Sequence, residues 1–328
     1  MDHPDDLLEE FAFGDVPDVG PHVAECARCS AHVSLARQAA DWLASSHSAP
    51  PPPALRSRVL AAAVRARPPS PGSAFSAYVS QAADFEVLID SLSPAQWSLP
   101  TTDGRTVEDL VRHLAGNDGN VLADLGTAVP VSDSPGPASA RPDERGSPVP
   151  ASARARDLWR DRSDLLMRTV GPAEESLLSR PVRLAGKTPM RRPLREAMMQ
   201  RAFETWIHRD DIRAAVSLPP EAPSPAHLAR IVDFGLALLP GAMDAAGRGR
   251  SGAIRLALTG PGSASHVVPL STSSGSSAPA LAHVEIPADR FGRLMAGRVP
   301  VTPAVAVIDG SRAAALDLLT VAATLGCE

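Results

Sequence analysis

Cysteine is scarce, three residues in 328, and two of them form one C-x-x-C. That excludes a disulfide framework and fits a reducing compartment. Lysine is nearly absent: Lys187 is the only one among 32 basic residues, beside 33 Pro. This is the bias of a GC-rich coding sequence of the actinobacterial kind, so the arginines are not read as a functional signal. No Lys/Arg-rich block occurs and the formal net charge is −5, which argues against direct nucleic-acid binding through phosphate neutralisation. No stretch approaches eighteen uninterrupted apolar residues, so no membrane span is expected. The acidic start MDHPDDLLEEF lacks the basic-then-apolar order of a secretory signal. A phosphate-cradling glycine loop, a dinucleotide fingerprint and a serine nucleophile elbow are also lacking. A cytoplasmic protein is expected, and 44% hydrophobic residues are enough for several packed cores.

What is present centres on RAFETWIHRDDIRAA, residues 201–215. Glu204 and His208 stand four residues apart on a strong helix former, so both side chains leave one face of one turn. Such a pair alone is most often a solvated face or an ordinary hydrogen bond. Here Met198, Met199, Ala202, Phe203, Trp206, Ile207 and Ile212 surround it, and an unpartnered carboxylate would be costly among them. A carboxylate and an imidazole are too few to hold a divalent metal, so a third ligand is sought on another helix. His113, in TVEDLVRHLAG, lies beside the apolar stripe of Val107, Leu110, Val111 and Leu114. Together the three suggest a metal site with an open position inside a helical bundle.

PAQWSLPTTDGRTVEDLVRHLAGND, followed much later by FETWIHRDDIRAA, resembles the DinB-like, mycothiol-dependent maleylpyruvate isomerase family. The resemblance implies a helical bundle whose metal is bound by one His of the second helix and a Glu-x-x-x-His pair of the last. These would be His113, Glu204 and His208. Many members have a Trp just before the Thr-Val pair, where this chain has Arg105, a departure that bears on packing over the site.

A second constellation lies in HVAECARC. His22, Cys26 and Cys29 put an imidazole and two thiols around one helix-start turn, which suits tetrahedral zinc. A C-x-x-C alone could be a redox pair, but no strand precedes it and His22 favours zinc. The stretch resembles the zinc-binding anti-sigma factor domain. That resemblance implies a fourth ligand from an upstream helix, His3, with Asp2, Asp5 and Asp6 as rivals, and a sigma factor as partner. It further implies that a detached helix at residues 55–67, between Pro-rich flanks, packs on the sigma factor; the alternative is a spacer helix docked on its own protein. His32, His47, His227, His266 and His283 lack partners at ligand spacing, and Cys327 reads as an incidental thiol.

The expected fold is mainly α with a C-terminal α+β domain. A zinc-binding helical unit covers residues 1–47, with one helix from His22 to Ala44, and a Pro-rich linker covers 48–72. A DinB-like four-helix bundle covers 73–217, its helices near 74–92, 106–126, 153–170 and 193–216, with a mobile loop at 128–152. An α+β domain covers 218–328, with strands AIRLALTG, HVVPLS and LAHVEIP between helices. Two functions fit. In one, an anti-sigma zinc module, redox-regulated, is joined to a mycothiol-dependent isomerase-like module that binds a small thiol or metabolite at a divalent metal, zinc being expected. In the other, the chain is a mycothiol-dependent metalloenzyme, isomerase or thiol transferase, and the zinc module is an appendage.

Overall fold

The computed structural model describes residues 7–14, 19–45, 75–127, 150–171, 175–186, 190–275 and 278–326. His3 and its rivals Asp2, Asp5 and Asp6, the helix expected at 55–67, the loop at 128–149, His47 and Cys327 lie outside them. The chain divides into two compact units, Met1–Val64 and Arg65–Glu328.

In the first unit, α1 (Leu8–Phe13), α2 (Gly20–Glu25) and α3 (Ala27–Ser45) gather a small core of Leu8, Ala12, Val19, Val23, Cys29 and Val33. The i, i+4 spacings of Leu8 with Ala12 and of Cys29 with Val33 put each pair on one helix face. Arg37 closes the unit by donating from Nε to the Ala12 carbonyl at 3.1 Å. The single helix expected from His22 to Ala44 is instead two. Cys26 is extended (φ −102°, ψ 108°), its N–H bonded to the His22 carbonyl at 2.8 Å and its own carbonyl accepting from Ser30 N–H at 2.9 Å. One residue thus ends α2 and begins α3, and the break brings the last turn of α2 against the first turn of α3.

In the second unit, α4 (Ser76–Ser91), α5 (Val107–Asp124), α6 (Ala151–Val170) and α8 (Leu194–Ala215) pack as a four-helix bundle, with α4 and α5 both against α8. Thr106 caps α5: its Oγ accepts from Asp109 N–H at 3.1 Å while the Asp109 carboxylate accepts from Thr106 N–H at 3.2 Å, a reciprocal pairing that fixes the start of the helix. A short α7 (Glu175–Leu178) and an antiparallel hairpin of β1 (Pro181–Arg183) and β2 (Arg191–Pro193) join α6 to α8. The hairpin was not anticipated, because PVR and RRP carry no strand pattern and are extended only through pairing with each other.

Beyond α8 come α9 (Pro225–Ala245), β3 (Ala253–Thr259), β4 (Ala264–Pro269), β5 (Ala280–Pro287), α10 (Ala288–Met295), β6 (Val307–Gly310) and α11 (Arg312–Ala322). The sheet order is β4-β3-β5-β6, parallel between β3 and β5 and antiparallel elsewhere. Ile254, Leu256, Leu258, Val284 and Ile286 are buried, while Arg255, His283 and Glu285 are exposed. This is the period of two of a sheet with one covered face. The edge strand β6 was also missed; four residues, VIDG, carry too little pattern to read. One contiguous core runs from the bundle through α9 into the sheet. The fold class is as expected, mainly α with a C-terminal α+β part.

By length and composition α9 could cross a membrane. Its Leu228, Ile231, Val232, Leu236, Leu239 and Met243 are buried in the common core, so it is read as a core helix.

Gly292 of α10 is pressed on Trp206 of α8, where a Cβ would meet the indole at 2.7 Å. Gly292→Ala should lower stability by about 1–3 kcal/mol, the usual cost of overpacking. A lower denaturation midpoint at unchanged m value is the expected reading.

Candidate metal centre

Nearly every side chain of α8 from Ala197 to Ile212 is buried, because the bundle covers one side of the helix and α9 the other. Glu204 and His208 are only 3% and 0% exposed. His113, half-buried on α5, completes a group with them in which one ligand atom from each lies within 4.8 Å of the others. The His113 and His208 rings meet edge to face, centroids 5.3 Å apart. The three residues picked from spacing on two helices therefore do converge.

Their surroundings orient them. His208 Nδ1 lies 3.0 Å from Asp211 Oδ2, and Arg298, in the turn after α10, donates to both Asp211 oxygens at 2.8 Å. Burial acts to raise the Asp211 carboxyl, but the hydrogen bonds from Arg298 and His208 outweigh it and hold the group below its ordinary value. An anionic Asp211 places the imidazole proton on Nδ1 and leaves the lone pair on Nε2. Nε2 is itself buried and has no hydrogen-bond partner among the described residues. A buried acceptor in that state is costly unless something electrophilic meets it, and a divalent cation would. Asn117, one turn on from His113, donates to Glu204 Oε2 at 2.8 Å and stands 3.1 Å from His113 Nε2. Arg201 pairs with the same Oε2. Both contacts use one oxygen, so they fix the carboxylate in place. Two imidazoles and a carboxylate with such a surround fit a zinc-type ion with an open position.

Behind the centre, Arg201 also lies 4.0 Å from Asp118, and Asp118 accepts from the Tyr78 hydroxyl at 2.7 Å. Burial pushes the Asp118 carboxyl up to about 6, against the opposing pull of Arg201 and Tyr78. Arg201 therefore anchors Glu204 from a fully buried position, and truncating it would leave two carboxylates without their cation. Asn117, Asp118, Asp211 and Arg298 were missed in the sequence. Asn117 and Asp211 could have been found by their i+4 and i+3 offsets from ligands; Asp118 and Arg298 depend on packing.

Burial, then the electrostatic influence of the His208 ring beside it, lowers His113 from 6.5 to about 4. In the metal-free chain its ring resonances should titrate near that value. Since the unfolded value is higher, this imidazole contributes stability that is complete above pH 6.5 and declines as pH falls towards about 4. A midpoint near 6.5 by NMR would contradict this placement.

In the first unit, His22, Cys26 and Cys29 also offer ligand atoms all within 4.8 Å of one another, with His22 Nε2 at 3.4 Å from Cys29 Sγ. A hydrogen bond from the Cys29 backbone is the largest influence on the Cys26 thiol and helps hold it below its ordinary value, favouring the thiolate that a metal needs. The donor set suits zinc with a fourth ligand from elsewhere. Of the remaining histidines, His32 is exposed and His266 lies 3.8 Å from Asp233; neither joins a ligand group among the described residues.

A crevice of about 20 Å³, room for roughly one water, lies between α8, α9 and α10 and has Glu204, Phe203, Ile231, Phe234 and Met295 in its lining.

No curated protein matches the chain. Two solved structures do, covering 72% of this chain and 91% of theirs: a mycothiol-dependent maleylpyruvate isomerase at 18% identity and TM-score 0.45, and a histidine-to-alanine mutant of such an enzyme at 19% and 0.42. Residues 78–213, the segment that contains His113, Glu204 and His208, match the family described as the mycothiol maleylpyruvate isomerase N-terminal domain.

Proposed function

We propose that the chain joins a mycothiol-dependent maleylpyruvate isomerase-like module, which holds a divalent metal, to a zinc-binding anti-sigma module, and that it works in the cytoplasm. The observation that supports the first half is His208 Nε2, buried and unpartnered beside His113 and Glu204 in a segment matching that family. A metal bound there supplies Lewis acidity, lowering the pKa of a thiol that reaches the open position. The protein's part is to fix the tautomer of His208 through Asp211 and to aim Glu204 through Asn117 and Arg201. Reversible addition of a thiol sulfur to one carbon of an activated cis double bond, rotation about the resulting single bond and loss of the same sulfur would isomerise a substrate such as maleylpyruvate with no net consumption of thiol. Conversion of maleylpyruvate by the metal-loaded chain, dependent on added mycothiol and lost in Glu204→Gln, is the expected result. No conversion under any of these conditions would remove the catalytic reading and leave a sensor.

The second half rests on His22, Cys26 and Cys29 coming together. The unit would grip a sigma factor while zinc holds α2 and α3 in place, and oxidation of the two thiolates would release it. Binding of the reduced chain to the sigma factor encoded beside its gene, repeated after diamide, tests this. Equal affinity in both states would keep the partner and remove the switch. Absence of binding in both states would favour the alternative, a metalloenzyme, isomerase or thiol transferase, with the zinc unit as an appendage.

A further inference from the structure

Asn117 lies one turn after His113 on α5, so two i, i+4 pairs face each other at the centre: His113 with Asn117 on α5, and Glu204 with His208 on α8, two helices in contact. The ligand group uses three of these four side chains.

The Asn117 amide stands between two of the three. Its Nδ2 lies 2.8 Å from Glu204 Oε2 and 3.1 Å from His113 Nε2. A carboxylate oxygen only accepts, so the NH2 end of the amide faces it, and with a donor at that place His113 presents the lone pair of Nε2. Two groups that would bind a cation are thus held by a pair of N–H donors. Ligand atoms about 2.0–2.2 Å from one zinc stand roughly 3.3–3.6 Å from each other, and the end of the Asn117 amide is already near that spacing from both neighbours. A half-turn about the last side-chain bond puts the carbonyl oxygen where the NH2 was. Without an ion the NH2 satisfies two acceptors; with an ion bound, an N–H aimed at it would be repelled, and Oδ1 is the end that fits.

We propose that Asn117 is a fourth ligand of the divalent ion, contributing its Oδ1 once His113, Glu204 and His208 hold the ion, and yielding that position to an entering thiol. A neutral amide oxygen is a weak ligand for zinc beside imidazole or thiolate, so it does not hold the ion alone and a thiolate displaces it. In the metal-free chain the same side chain keeps His113 and Glu204 together. This role rests on the metal centre of the isomerase-like reading above.

Zinc competition with a chelator on the full chain tests it, the double variant His113→Ala/His208→Ala, which retains the N-terminal site, supplying the curve to subtract. Asn117→Leu, similar in shape but without polar atoms, should weaken zinc at the bundle by about tenfold or more, at least the effect of losing an outer partner of a ligand. Asn117→Asp keeps an oxygen in place and should bind at least as tightly as wild type. With cobalt in place of zinc, the visible absorption band of the centre should move in Asn117→Leu, because a ligand oxygen is exchanged for solvent; a side chain that only supports the fold leaves the band where it is. Zinc held as tightly or more tightly by Asn117→Leu overturns the proposal and makes the amide a plain competitor for the ligand atoms. Weaker binding in both variants with an unmoved cobalt band also overturns it, and marks a packing role. Equal zinc binding by wild type and the double variant would remove the centre itself, and with it both this role and the metal half of the function.

Discussion

Replacing His113 and His208 together by alanine should reduce the divalent metal content of the chain from two ions to one. His208 Nε2 is buried and unpartnered, Glu204 is held by Asn117 and Arg201 through one oxygen, and His113 completes the group. Without both imidazoles only Glu204 remains, and a single carboxylate already paired with arginine does not hold an ion against water. The His22–Cys26–Cys29 site lies in the other compact unit and should keep its metal. A graded version uses Asp211→Asn, which leaves all three ligands in place but loses the anion that sets the His208 tautomer; metal affinity should fall by about 10–100-fold. Elemental analysis of the dialysed proteins reads the first result and chelator competition the second. An unchanged metal count in the double variant would sink the assignment.

Removing zinc from the N-terminal unit should unfold it while the rest of the chain stays native. Among the described residues the core of that unit is Leu8, Ala12, Val19, Val23, Cys29 and Val33, few and small side chains to set against the ordering of its helices. A structural zinc contributes apparent binding free energies of about 10–16 kcal/mol at neutral pH, enough to decide whether such a unit folds. Hydrogen exchange in the intact chain, with and without chelator, should show protection lost across α1–α3 and kept in the sheet and in α9. Oxidation of Cys26 and Cys29 should have the same effect, since it removes two ligands. Undiminished protection in α2 and α3 would mean that the helices hold themselves together and that the metal, if bound, is an addition.

The sequence by itself determined which faces of the helices had to be buried. Periodic apolar residues around Glu204 and His208, and beside His113, placed the ligands on core-facing helices before any fold was known, and the length of the apolar run LAHVEIP identified a strand. These signals are local, repeating within a few residues, so they are legible without knowing what lies opposite. Tertiary structure decided the rest. The break at Cys26 separates two helices that read as one, because a single extended residue leaves almost no trace in periodicity. β1, β2 and β6 are too short to announce themselves and exist because partners lie alongside. Arg298 acts on Asp211 from 87 residues away, and Arg201 reaches both Glu204 and Asp118. In a chain with so many arginines no pattern marks those two; burial and the location of a carboxylate distinguish them, and both are properties of the packed chain.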